Sequence, residues 1–215
     1  MASHDAGTPF KLVGGRLCLD FINTVSGRLP RPGRPARDYA DVVEEEWLAG
    51  YGDLLQWGRI AGILSPTEAD ALARSARAAP AKASRVAARA RELREAMYRI
   101  IVAVTRRWPP DAADVERLNR ELARARTHER LTPDGQKFGS TWQSDAASLD
   151  RVLWPVVRSA AELLLSHDVE RVHRCDGDDC RWLFFDTSRS RNRRWCDMAD
   201  CGNVAKVRRY RGQAV

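Results

Sequence analysis

Lysine is nearly missing from this chain. Only Lys11, Lys82, Lys137 and Lys206 stand among its 36 cations, and the rest are arginines. Chains rich in both Ala and Arg commonly reflect GC-rich coding, so the formal net charge of +7 means little until its position is known. Long hydrophobic runs are also missing. No stretch approaches the roughly 18 apolar residues of a membrane-spanning helix, which excludes such a helix. Met1 to Phe10 lack the basic patch and apolar stretch of a secretory leader, so a cytoplasmic location is expected. Histidine is sparse: His4, His128, His167 and His173 are scattered without ligand spacing. Neither a nucleophile–base pair nor a phosphate-cradling glycine loop is visible, so an enzyme is not expected. Repeats and low-complexity tracts are absent. The 44% apolar content excludes a disordered chain and is enough for a core.

Cysteine is scarce but concentrated. Cys18 stands alone and reads as a small core residue, whereas Cys175, Cys180, Cys196 and Cys201 fall within 27 residues. In a cytoplasmic protein, two matched pairs read as a metal site before they read as disulfides. Four thiolates suit one tetrahedral, structural zinc ion with no open position for catalysis. Metal binding should drive folding of so small a module. Gly177 and Gly202 should let the backbone wrap the ion.

The positive charge gathers in the same region. Residues 171–215 carry eleven cations against six aspartates, a net +5 of the chain's +7. Arg189, Arg191, Arg193 and Arg194 lie between the cysteine pairs, and Lys206, Arg208, Arg209 and Arg211 follow the last cysteine. Their forked guanidinium groups suit phosphate and guanine, so duplex DNA is the expected partner. The competing reading is a solvated basic face paired with Asp176, Asp178 and Asp179 of the first cysteine turn. On the last helix, Val207 and Tyr210 share a face expected to pack on the zinc core.

Ahead of this module the pattern is helical. Residues 10–25 are apolar with a period that fits either strand or helix. Residues 26–37 hold three Pro, two Gly and four Arg and read as a surface loop. Helix is expected from Tyr39 to Leu64, broken near Gly50 and Gly52. Ser65-Pro66-Thr67-Glu68 is a capping box that starts another, ending before Pro80. Residues 81–107 carry a single apolar stripe. Asp111 caps a shorter helix with Val115, Leu118 and Leu122 inside, and residues 128–142 form a hairpin turning at Pro133-Asp134-Gly135. Ser144 to Ser166 should be a helix kinked at Pro155. Trp47, Trp57, Trp108, Trp142 and Trp154 read as core. Asp20 and Asn23 interrupt the first apolar stretch, either as contacts for a small-molecule effector or as side chains bonded to nearby backbone.

The architecture expected is therefore mainly α: a multihelical domain with a small hairpin over residues 1–168, then a treble-clef-like four-cysteine zinc finger over 169–215. The alternative to a DNA-binding finger is a protein-interaction module anchored by Trp182, Phe184 or Trp195.

The ends of the chain resemble known families. Cys196-Asp-Met-Ala-Asp-Cys201-Gly202-Asn203-Val204-Ala205-Lys206-Val207-Arg208-Arg209-Tyr210-Arg211, with Trp182-Leu-Phe-Phe-Asp-Thr-Ser-Arg189 before it, resembles the CGNR zinc finger. Gly14-Gly-Arg-Leu-Cys-Leu-Asp-Phe-Ile-Asn-Thr24 resembles the start of the ABATE domain. The resemblance implies a bacterial, stress-associated transcription regulator with a sensing or dimerising N-terminal domain. It also implies zinc on Cys175, Cys180, Cys196 and Cys201, and DNA contacts from the finger. Independently of the resemblance, a two-fold homodimer is the common assembly of DNA-binding regulators and is expected here. Val204 departs from the family motif, which ends in Arg at this position.

Overall fold

The computed structural model describes residues 10–29, 42–143 and 148–212. A long central helix organises it. α4 (Pro80–Thr105) spans about 39 Å at 1.5 Å per residue. It packs against α2 (Tyr51–Ile60), α3 (Pro66–Ala78), α5 (Ala112–His128) and α6 (Leu153–Leu165). The ambiguous first segment is a helix, α1 (Leu17–Ile22). Cys18, Leu19, Phe21 and Ile22 are all buried because α4 and α6 close on it from different sides.

Local signals set several boundaries. Ser65 accepts the Glu68 N–H and Glu68 accepts the Ser65 N–H, and Pro66 opens α3 where its missing donor costs nothing. Asp111 caps α5 through the amides of Ala113 and Asp114. The hairpin forms as β3 (Glu129–Asp134) and β4 (Lys137–Trp142), with Gly135 at φ 59° in the turn.

Two expectations fail here. Residues expected to be loop and helix instead pair as antiparallel strands, β1 (Val25–Leu29) and β2 (Val42–Glu46). The remaining loop and helix residues, 30–41, lie outside the described residues. Long-range ion pairs favour the strand: both oxygens of Glu46 take the Arg94 guanidinium at 2.7 Å. Arg94 also bonds Glu95, and Glu95 receives the buried Arg28 of β1 at 2.6 and 3.1 Å. Pro155 does not kink a helix. A 3-10 turn over Leu149–Val152 precedes α6, so Pro155 sits in the first turn of α6, where no intrahelical donor is needed. Residues 144–147 of that expected helix are outside the described set.

The charged residues inside α5 have the same origin as the strand. Asp114 and Glu121 are buried on the face of Leu118 and Ala125 because Arg99 and Arg89 of α4 meet them. Val115 and Leu122 are only partly buried. Cys18 is fully buried and its thiol is pushed up to about 12 by desolvation, which fits an inert core residue. Trp57 and Trp154 are fully buried, while Trp47 and Trp142 pack at the core margin.

Candidate metal centre

The module begins at β5 (Val172–Arg174), which pairs antiparallel with β6 (Leu183–Phe185). Alternation along this short strand places it between two cores. Leu183 and Phe185 join the main helical core, while Trp182 and Phe184 join Cys175 and Cys196 in a second cluster. This explains why Trp182-Leu183-Phe184-Phe185 is apolar without a break. Trp182 and Phe184 are buried, so they are not the exposed partner anchors considered from the sequence. Trp195, the third, is half-buried beneath the Arg194 guanidinium.

The cysteine turns converge from opposite ends of that strand. All four sulfurs lie within 4.8 Å of one another, with Cys180–Cys196 at 3.6 Å and Cys196–Cys201 at 3.7 Å. Tetrahedral zinc with bonds of about 2.3 Å requires sulfur–sulfur edges of about 3.8 Å, so the donor set fits one zinc ion. The Gly177 and Cys196 amides donate to the Cys175 sulfur at 3.4 and 3.3 Å, the outer contacts a metal-bound thiolate uses. Gly177 has no left-handed φ, so its small size matters more than backbone freedom, and a Cβ there would be a tight fit against the Cys180 Cβ at 3.1 Å. A Cβ there would stand 3.3 Å from the Cys201 sulfur and 3.5 Å from the Cys175 sulfur.

Cys201 sits in a π-type turn (Met198–Gly202) that runs directly into α7 (Asn203–Gly212). The expected packing of this helix on the zinc core is not found. Val207 and Tyr210 are exposed, as is Val204, and α7 buries none of its residues. The helix is held at its start by the turn and beside the first cysteine turn, the knuckle of residues 175–180, by Arg208, which pairs with Asp178 and lies 3.9 Å from Asp179.

The eight sequence-selected cations therefore separate into classes. Arg193 turns inward: its guanidinium lies 4.5 Å from the Phe184 ring centre and donates to the carbonyls of Trp195 and Cys196. Arg194 pairs with Asp176 at 2.7 Å, and Arg208 takes the other side of the same knuckle. Arg189, Arg191, Lys206, Arg209 and Arg211 are exposed and pair with no carboxylate among the described residues. Asp186, overlooked in the sequence, shapes the Arg-bearing loop. Its buried carboxylate accepts the Ser188 and Arg193 amides at 2.7 and 3.0 Å. Burial opposes its charge, but these donors outweigh burial and hold the carboxyl at about 2. An Asp that closes an apolar run just before Thr-Ser was the available signal for such a turn.

Asp20 and Asn23 serve the backbone. Asp20 accepts the Gly14 amide at 2.7 Å, a local contact. Asn23 instead reaches across the molecule: its amide donates to the Leu183 carbonyl at 2.8 Å and accepts the Leu183 amide at 3.0 Å. Both ends of its side chain are thereby committed to β6. The Phe185 amide donates to the Gly14 carbonyl, and the Trp182 indole donates to the Val25 carbonyl. The first segment thus docks along the whole of β6.

Among the described residues, no helix is long and apolar enough to cross a membrane. No curated protein matches the chain. Two family models do. Residues 171–214 match the CGNR zinc finger, which agrees with the four-sulfur geometry and with one structural zinc ion. Residues 15–167 match the ABATE model, described as "Putative stress-induced transcription regulator". The chain belongs to the ABATE family and carries a CGNR zinc finger at its C-terminal end.

Proposed function

We propose that this protein is a DNA-binding transcription regulator whose zinc-ordered module grips the duplex through phosphate. The observation that carries this reading is the set of exposed cations on the loop and helix flanking the cysteine cluster that pair with no carboxylate among the described residues: Arg189, Arg191, Lys206, Arg209 and Arg211. The acidic knuckle cancels Arg194 and Arg208 but leaves these five for the ligand. Zinc acts structurally, since four thiolates fill a tetrahedron and hold the turn that launches α7. The helical domain supplies effector sensing or dimerisation in this reading, and the protein is a binder without catalytic activity.

Binding should weaken with salt in proportion to the phosphates contacted, with a log–log slope near −0.9 per contact. Replacing Arg209 by Ala should weaken binding to all duplexes alike and reduce the slope by about 1. Selection from a random DNA pool by the zinc-loaded chain then separates specific from general binding. An enriched motif supports a regulator, and no enrichment with an unchanged slope in Arg209→Ala overturns the reading.

A second reading draws on the unexpected exposure of α7. Val204, Val207 and Tyr210 recur every three residues on one flank of the helix. This stripe suits a protein partner, which would bind with little dependence on salt.

A further inference from the structure

A cavity of about 510 Å³ opens between the zinc knuckle, the start of α7 and the β1–β2 pair. At one edge of it the β1–β2 pair approaches the first cysteine turn very closely at Gly27. That residue has φ 59°, and a Cβ there would fall 2.5 Å from the Asp179 carbonyl and 2.7 Å from a Glu44 carboxylate oxygen. The volume lies in the range of small-molecule sites. Trp47 and Trp182 form part of the wall, their rings 5.7 Å apart and at 89° to one another. The acidic residues Glu44, Asp176, Asp178, Asp179 and Asp200 also line the cavity, together with Lys11 and Arg208. A zinc–tetrathiolate centre adds a charge of about −2 at the same wall.

The chain's own cations already answer this field. Lys11 bonds Asp200 and Arg208 bonds Asp178, both from positions lining the cavity. Glu44 has no partner among the described residues. Val204 also lines the cavity, at the position where the motif that names the finger has Arg. An Arg there would be a further tethered cation beside these carboxylates, whereas Val leaves apolar wall next to Glu44, with Asp176 held by Arg194 and Asp178 by Arg208.

We propose that this cavity binds a small organic cation, an alkylammonium or quaternary ammonium, held by the carboxylates of Glu44 and the knuckle against the Trp47–Trp182 corner. Aromatic faces attract such cations through the ring quadrupole, and the carboxylates add direct attraction. A ligand at Asp178 and Asp179 competes with Arg208. Its release would give α7 a further cation for phosphate, a consequence that rests on the DNA-binding reading while the cation site does not.

The test is calorimetric titration of the zinc-loaded full chain with choline, with putrescine, and with 3,3-dimethyl-1-butanol, the neutral counterpart of choline. A peptide carrying trimethyllysine separates a free cation from a side chain of a partner. The expected result is saturable binding of choline or putrescine and none of the neutral alcohol. Val204→Arg should weaken binding at least about tenfold and Glu44→Gln about fivefold, with zinc content and circular dichroism unchanged. Val204 and Glu44 are exposed, so neither change disturbs a core, and Glu44→Gln decides the matter alone if Val204→Arg fails to fold. No saturable binding of either free cation, equal binding of the alcohol, binding of the peptide alone, or unchanged affinity in Glu44→Gln overturns the proposal. DNA affinity is not read in these titrations, so failure of the cation site and failure of the DNA reading are told apart.

Discussion

Replacing Asn23 by Ala should loosen the zinc module from a distance of 160 positions in sequence. Asn23 is 1% exposed, and its two amide atoms satisfy both the N–H and the C=O of Leu183, which is itself 1% exposed. Alanine removes both partners at once. Two backbone groups are then left buried without hydrogen bonds, at a cost of about 1–3 kcal/mol each. The expected loss is therefore about 2–6 kcal/mol, toward the lower value if water enters the vacated space. Because Leu183 belongs to the strand between the helical core and the cysteine cluster, the loss should reach the metal. A destabilisation of 1.4 kcal/mol is tenfold in an equilibrium constant, so zinc release to a chelator should accelerate at least about tenfold if opening precedes release. Asn23→Asp should be worse than Asn23→Ala, since it exchanges the donor for a carboxylate facing the Leu183 carbonyl. Urea unfolding and a colorimetric zinc-release assay measure the two quantities. An Asn23→Ala protein within about 0.5 kcal/mol of the parent, releasing zinc at the parental rate, would refute the coupling.

Further outcomes follow from the same structure. Cys180→Ser or Cys196→Ser should reduce bound zinc well below one per chain and remove the order of residues 171–212; full zinc occupancy by metal analysis would contradict the four-sulfur site. Arg94→Leu should cost about 3–5 kcal/mol in urea unfolding, because Glu46 and Glu95 lose a buried partner; a loss under 1 kcal/mol would show that water already screens the network. Burial raises the Asp20 carboxyl to about 6 against an unfolded value near 4. The folded state therefore holds that proton more tightly. Its contribution is complete below about pH 4 and is lost as pH rises to about 6, by at most about 3 kcal/mol. Asp20→Asn keeps an acceptor for the Gly14 amide, so it should flatten that slope and stabilise the protein at pH 7. A parental pH profile would exclude Asp20 as its source.

What the sequence determined by itself was carried by local rules. The helix starts at Ser65 and Asp111 follow from side chains that cap amides two or three residues away. The stripe from Val86 to Ile101 follows from a period of 3.6 residues, and the cysteine pairs were legible because tetrahedral thiolate chemistry needs matched turns. Tertiary structure decided whatever depended on a distant partner. Residues 42–46 became a strand because Glu46 meets Arg94 and β1 offers a ladder. Asn23 could not be assigned from its neighbours, since its partner is Leu183. Arg193 and Arg209 read alike in sequence, yet one lies on Phe184 inside the module and the other faces solvent. Val207 and Tyr210 had a helical spacing suited to packing, but spacing says only that residues share a face. Whether a partner surface stands opposite depends on how the chain returns upon itself, and for α7 the described structure places none there.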